Sequence, residues 1–158
     1  MEVHYENLTW PDIAERVKTC DIVVVPIGSC EMHGPHLPVG HDTYTMWRLA
    51  ERVAEKTGAT VAPPIWYGAH PYHHYGFRGT IPIGYDTLKG YLKDIIRGLY
   101  NAGFNKILLT NLHGQQWVLT AAIQEMALEM PAFLAIINFY EPIRDKLKQG
   151  EILEAPFR

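Results

Sequence analysis

The sequence predicts an α/β fold, a three-layer α/β/α sandwich built around a mainly parallel sheet. Three observations carry that prediction. Short apolar runs rich in β-branched residues alternate along the chain with stretches of helical period. The apolar runs, such as DIVVVPIGS (Asp21–Ser29), are nearly uniform instead of alternating, as strands covered on both faces are. The balance of 47% hydrophobic and 20% charged residues over 158 positions is that of one globular domain, able to bury about two thirds of its unfolded surface. A single domain over residues 1–158 is expected.

Each element follows from local chemistry. LTWPDIAERVKTC (8–20) reads as a short helix, with Thr9 as N-cap and Pro11 in the first turn. Asp21–Ser29 is the first strand. DTYTMWRLAERVAEKTG (42–58) has apolar residues at helical spacing, an aspartate at its start and Gly58 just past its end. ATVAPPIWYG (59–68) is a second strand ended by prolines. AHPYHHYGFRGTIPIG (69–84) has no period; its length and aromatic content mark an ordered functional loop. YDTLKGYLKDIIRGLYNAG (85–103) is a helix capped by Asp86 or Thr87 and closed by Gly103. FNKILLTNLHG (104–114) is a third strand, QQWVLTAAIQEMALEM (115–130) a helix, PAFLAIINFY (131–140) a fourth strand, and EPIRDKLKQG (141–150) a short polar helix.

Composition excludes several function classes. The net charge is −3, and Lys and Arg are scattered with no basic stripe, so no nucleic-acid partner is expected. Cys20 and Cys30 are too few for a disulfide framework or a zinc knuckle. The N-terminal residues lack a basic region followed by an apolar run, and the apolar runs are too short to span a bilayer. A cytoplasmic protein without a membrane partner is expected.

The eight histidines point toward a site. In open α/β sheets, ligands bind beyond the carboxyl ends of the strands. The segment GSCEMHGPHLPVGHD follows the first strand, the His-rich loop follows the second, and NLHG follows the third. All three therefore converge on one sheet edge. Glu31 and His33 stand two apart, which puts them on one side of an extended piece. Gly28 and Gly34 permit unusual backbone angles, and Pro35 and Pro38 stiffen the loop. Asp42 returns at the next helix, and His113 arrives from the third strand. Two imidazoles and two carboxylates make a mixed N/O set suited to Zn²⁺, Mn²⁺ or Fe²⁺. Taken singly, Asp42 also reads as a helix N-cap, Glu31 as a surface charge and His113 as a hydrogen-bonded loop residue.

The stretch VPIGSCEMHGPHLPVGHD resembles the signature of the creatininase (creatinine amidohydrolase) family. HHYGFRGTIPIG is similar to that family's later His-x-x-Phe-Pro-Gly-Thr segment, and ILLTNLHGQQ to its Asn-Gly-His-Gly-Gly-Asn segment. The resemblance implies a creatininase-like sandwich, a centre of two divalent ions (Zn, Mn or Fe), and hydrolysis of a non-peptide, often cyclic, amide C–N bond by metal-activated water. Glu31, His33, Asp42 and His113 match the family's metal ligands, Asp42 matching the one that bridges. His36 falls in the signature as a residue behind the ligands, and His41 in a variable slot. His74 aligns best with the loop histidine and is a candidate for substrate contact or proton transfer.

The departures carry information too. Arg78 stands where the family has proline and is a candidate for holding an anionic substrate group. Gln115 stands where creatininase carries a ligating glutamate, and becomes a candidate hydrogen-bond donor to substrate. Trp117 is a candidate pocket wall. The family's segment resembling His-Ala-Gly-x-x-Glu-Thr-Ser has no counterpart after Tyr140, so a second chain or missing C-terminal segment is expected to supply its glutamate, within a homo- or hetero-oligomer. Alternatives with the same ligands are hydrolysis of a formamide, a lactone or a cyclic ketone, or a non-catalytic subunit of a larger complex.

Overall fold

The computed structural model describes residues 2–141 together with Arg144 and Lys146. Helix α1 spans Trp10–Thr19, strand β1 Ile22–Ile27, α2 His41–Thr57, β2 Thr60–Val61, α3 Tyr85–Asn101, β3 Lys106–Asn111, α4 Gln116–Ala127 and β4 Phe133–Asn138. The expected polar helix at 141–150 lies outside the described residues, apart from Glu141, Arg144 and Lys146.

The four strands form one parallel sheet in the order β2-β1-β3-β4. Alternation along β1 divides the core. Val23, Val25 and Ile27 join Leu88, Leu92 and Ile96 of α3 and Leu119, Ala122 and Met126 of α4 in the larger cluster. Val24 points the other way, to Ala50 and Ala54 of α2. Those apolar residues recur at helical spacing, so each helix seals one face with a single stripe. This is the expected sandwich, with α2 on one side and α3 and α4 on the other.

Local chemistry sets the ends of the elements. Thr9 caps α1 through a capping box: its amide and hydroxyl both donate to Asp12 Oδ2, at 3.0 and 2.6 Å. Gly58 ends α2 in the left-handed conformation, φ 78°, where a Cβ would be strained. The second strand is shorter than its sequence suggests. Pro63 and Pro64 lack donors, so regular pairing stops at Val61 and resumes only as one bridge, Ile27 with Ile65. The same gap accommodates Pro26 inside a central strand. Neither Asp86 nor Thr87 caps α3; Gly84 holds that position, and Asp86 projects into solvent.

Candidate metal centre

The ends of β1 and β3 deliver the site. Gly28 closes β1 against the start of α2, and a Cβ there would lie 2.3 Å from the Thr43 amide nitrogen. Close approach, not an unusual φ, is therefore why glycine sits at position 28; Gly34, at φ 71°, is the residue that needs left-handed freedom. This contact brings Ser29 and Glu31 beside Asp42. Asp42 is not the helix cap, a role taken by Gly40. Its buried carboxylate instead accepts a hydrogen bond from Ser29 Oγ at 2.8 Å through Oδ2, and Oδ1 lies 3.1 Å from His33 Nε2.

His113 enters from the turn after β3. Its Nε2 lies 3.0 Å from the Ala69 carbonyl oxygen, which can only accept, so Nε2 carries a proton. Nδ1 then faces Glu31 Oε2 at 2.9 Å and Asp42 Oδ2 at 3.4 Å. In a neutral ring this would set a lone pair against two anions. The arrangement calls for a cation, either a second ring proton or a metal ion. Burial by itself lowers the His113 pKa, but the Asp42 and Glu31 carboxylates outweigh it and push it up to about 9. Burial correspondingly raises Glu31 and Asp42, while the imidazoles, joined at Asp42 by the Ser29 hydroxyl, outweigh it and hold both carboxylates below their ordinary values. His33 repeats the pattern: Nδ1 lies 3.0 Å from the Glu31 carbonyl, leaving Nε2 toward Asp42. Fixing one ring nitrogen on a carbonyl is how metal-binding imidazoles are oriented. The donor set therefore fits a divalent ion, and Glu31, Asp42 and His113 place one ligand atom each within 4.8 Å of one another.

The remaining candidates separate. His74 joins the cluster, with Nδ1 2.6 Å from Glu31 Oε1. Gln115 does not meet the expectation of a free donor. It is fully buried; Oε1 accepts from the Ala69 amide at 2.9 Å, while Nε2 donates to the Gly28 carbonyl at 3.0 Å and to Asn111 Oδ1 at 3.3 Å. Its amide ties the three site loops together and has no donor left for substrate. Arg78 is exposed on the loop that Thr80 anchors to the Met32 amide. Trp117 is exposed, lines a groove of about 570 Å³ with Gly114 and Thr120, and packs edge-on to Tyr85 with centroids 4.4 Å apart. His36 is exposed, away from the expected place behind the ligands, whereas His41 packs against the His33 ring at 5.2 Å.

Sequence reasoning missed two residues. Ser29 was legible only as part of the signature. His70 is 1% exposed, with its ring 4.4 Å from that of His113. The run AHPYHHYG marked a histidine-rich functional loop, but nothing in it distinguished the buried histidine.

Comparison with known proteins identifies related chains of the same fold. The profile of the Creatininase family, creatinine amidohydrolase, matches residues 6–154. The chain is 46% identical over 98% of its length to a 3-dehydro-scyllo-inosose hydrolase of Thermotoga maritima, covering 51% of that protein. It is 31% identical over 84% of its length to a creatinine amidohydrolase of Pseudomonas putida, covering 53% of it. A solved structure described as creatininase Mn superposes with TM-score 0.92 at 25% identity, over 99% of this chain and 66% of that one. The chain thus spans about half the length of these curated relatives. Among the described residues, no helix is long and apolar enough to cross a membrane.

Proposed function

The chain belongs to the creatininase family, and from that premise we propose that it carries the metal centre of a hydrolase that cleaves a non-peptide, cyclic amide C–N bond with water. The observation that carries this reading is the His113 ring, whose Nδ1 is aimed between two carboxylates with its other nitrogen already committed. In this reading Glu31, His33, Asp42 and His113 would hold two divalent ions, zinc, manganese or iron; Asp42 turns one oxygen toward His33 and the other toward His113. Such ions, when bound, polarise a carbonyl oxygen and bring the pKa of water toward neutrality.

The chain's own groups do the rest. Ser29 fixes the orientation of Asp42, and the Glu31 and Ala69 carbonyls set the tautomers of His33 and His113. His74 touches Glu31 through Nδ1, which leaves Nε2 to exchange a proton with the leaving group. Arg78, exposed on the aromatic loop, engages an anionic substrate group, and Trp117 supplies an apolar wall. Residues 1–158 act as one domain of a cytoplasmic oligomer.

One observation favours a second reading. The inosose hydrolase shares 46% identity across 98% of the chain, which supports hydrolysis of a polyhydroxylated cyclic ketone by the same ligands. Assays against cyclic amides and against cyclic polyhydroxy ketones, following amine release and acid release respectively, separate the two. Asp42→Ala tests the centre itself: loss of bound metal is expected, and full metal content in that variant removes the bridging role.

A further inference from the structure

We propose that Glu31, His70 and His74 form a cation site of their own, on the outer oxygen of Glu31, which takes a divalent transition-metal ion of the zinc type. The inference deepens the reading above and rests on Glu31 being a metal ligand.

Geometry is the first support. One ligand atom from each of Glu31, His70 and His74 lies within 4.8 Å of the other two, in a group distinct from Glu31, Asp42 and His113. Glu31 is the shared member and divides its oxygens between them. Oε2 faces His113 Nδ1 at 2.9 Å, while Oε1 lies 2.6 Å from His74 Nδ1 and 3.9 Å from His70 Nδ1. A carboxylate in that posture can bind one ion on each side.

His70 is the second support. It is 1% exposed, and neither ring nitrogen has a hydrogen-bond partner. Buried polar groups are ordinarily satisfied, so an orphaned imidazole calls for a partner. Its Nδ1 lies on the Glu31 side of the ring, 3.9 Å from Oε1, where a metal ion would supply the missing partner.

The scaffold behind His70 is the third support. Gln115 Oε1 accepts from the Ala69 amide, His113 Nε2 donates to the Ala69 carbonyl, and Tyr85 donates to the His70 carbonyl at 3.0 Å. The turn between β3 and α4 and the start of α3 thus hold this piece of backbone with three hydrogen bonds, as a preorganised ligand requires. Two imidazoles and one carboxylate make a three-ligand set that leaves a coordination position open.

The test uses the full chain, stripped with chelator and titrated with zinc against a chromophoric competitor, with zinc per chain measured after desalting. Wild type is compared with His70→Ala, His74→Ala and Asp42→Asn. His70→Ala and His74→Ala are each expected to lose one zinc equivalent, weakening it by more than the roughly 100-fold that disturbing an outer partner produces, while Asp42→Asn keeps that equivalent. His74 is half-exposed on a short 3₁₀ turn, Tyr72–Gly76, so its variant carries the test if His70→Ala fails to fold. Wild-type stoichiometry and affinity in His74→Ala overturn the inference but leave the Asp42 and His113 centre standing. A wild-type chain that binds no zinc overturns both.

Discussion

Replacing Gln115 with methionine tests whether that residue is a strut or a substrate contact. The substitution keeps the side-chain volume, so no cavity opens to admit water, but it removes every polar atom. The Ala69 amide and the Gly28 carbonyl then lose the partners they have at 2.9 and 3.0 Å, in a position with no solvent exposure. Each buried backbone group left unpaired costs about 1–3 kcal/mol, so the loss is about 2–6 kcal/mol. Burying the more apolar methionine returns about 1 kcal/mol. The net destabilisation is about 3 kcal/mol, a fall in Tm of roughly 6–12 °C for a domain of this size. Urea and thermal unfolding of the metal-free chain measure it directly. Because Gln115 also holds the backbone that accepts from His113, zinc affinity is expected to fall in parallel. Unchanged stability together with a raised KM would refute the strut and restore Gln115 to the substrate.

Other perturbations have equally definite outcomes. Ser29→Ala removes the 2.8 Å hydrogen bond that orients Asp42, so zinc affinity should fall about 10–100-fold with the fold intact, as competition titration reads. Gly28→Ala places a Cβ 2.3 Å from the Thr43 backbone; because backbone has to move, little soluble folded protein is expected, and a variant with wild-type Tm contradicts the close-approach argument. In the metal-free chain His113 has its pKa raised from 6.5 to about 9. Its ion pairs therefore stabilise fully below pH 6.5 and are lost as pH rises through about 9. Tm in chelator should fall across that window, and the fall should vanish in His113→Gln. The same proton competes with metal, so zinc affinity should strengthen as pH rises toward 9.

How far the sequence reached differs between fold and site. Alternation of β-branched runs with amphipathic stretches was sufficient for the layered parallel sheet, because burial on one or both faces imposes its period directly on the residues. It also brought Glu31, His33, Asp42 and His113 to one edge, since a rule about strand ends places their segments there. The extent of β2 was less legible: donors lost at Pro63 and Pro64 count only against a partner strand. Gln115 and His70 were not legible. A glutamine beside a ligand reads as a polar group free for substrate until its three partners, drawn from the residue after β1, the His-rich loop and β3, are seen to use it up. Three histidines in one loop look alike until packing buries one of them against His113. Sequence period is a local property fixed by each element's own burial, so the chain alone determined the layers and the edge where chemistry gathers. Which polar side chains are consumed in holding the loops together, and which still face a cation, depends on contacts between distant segments, and only the tertiary structure decides it.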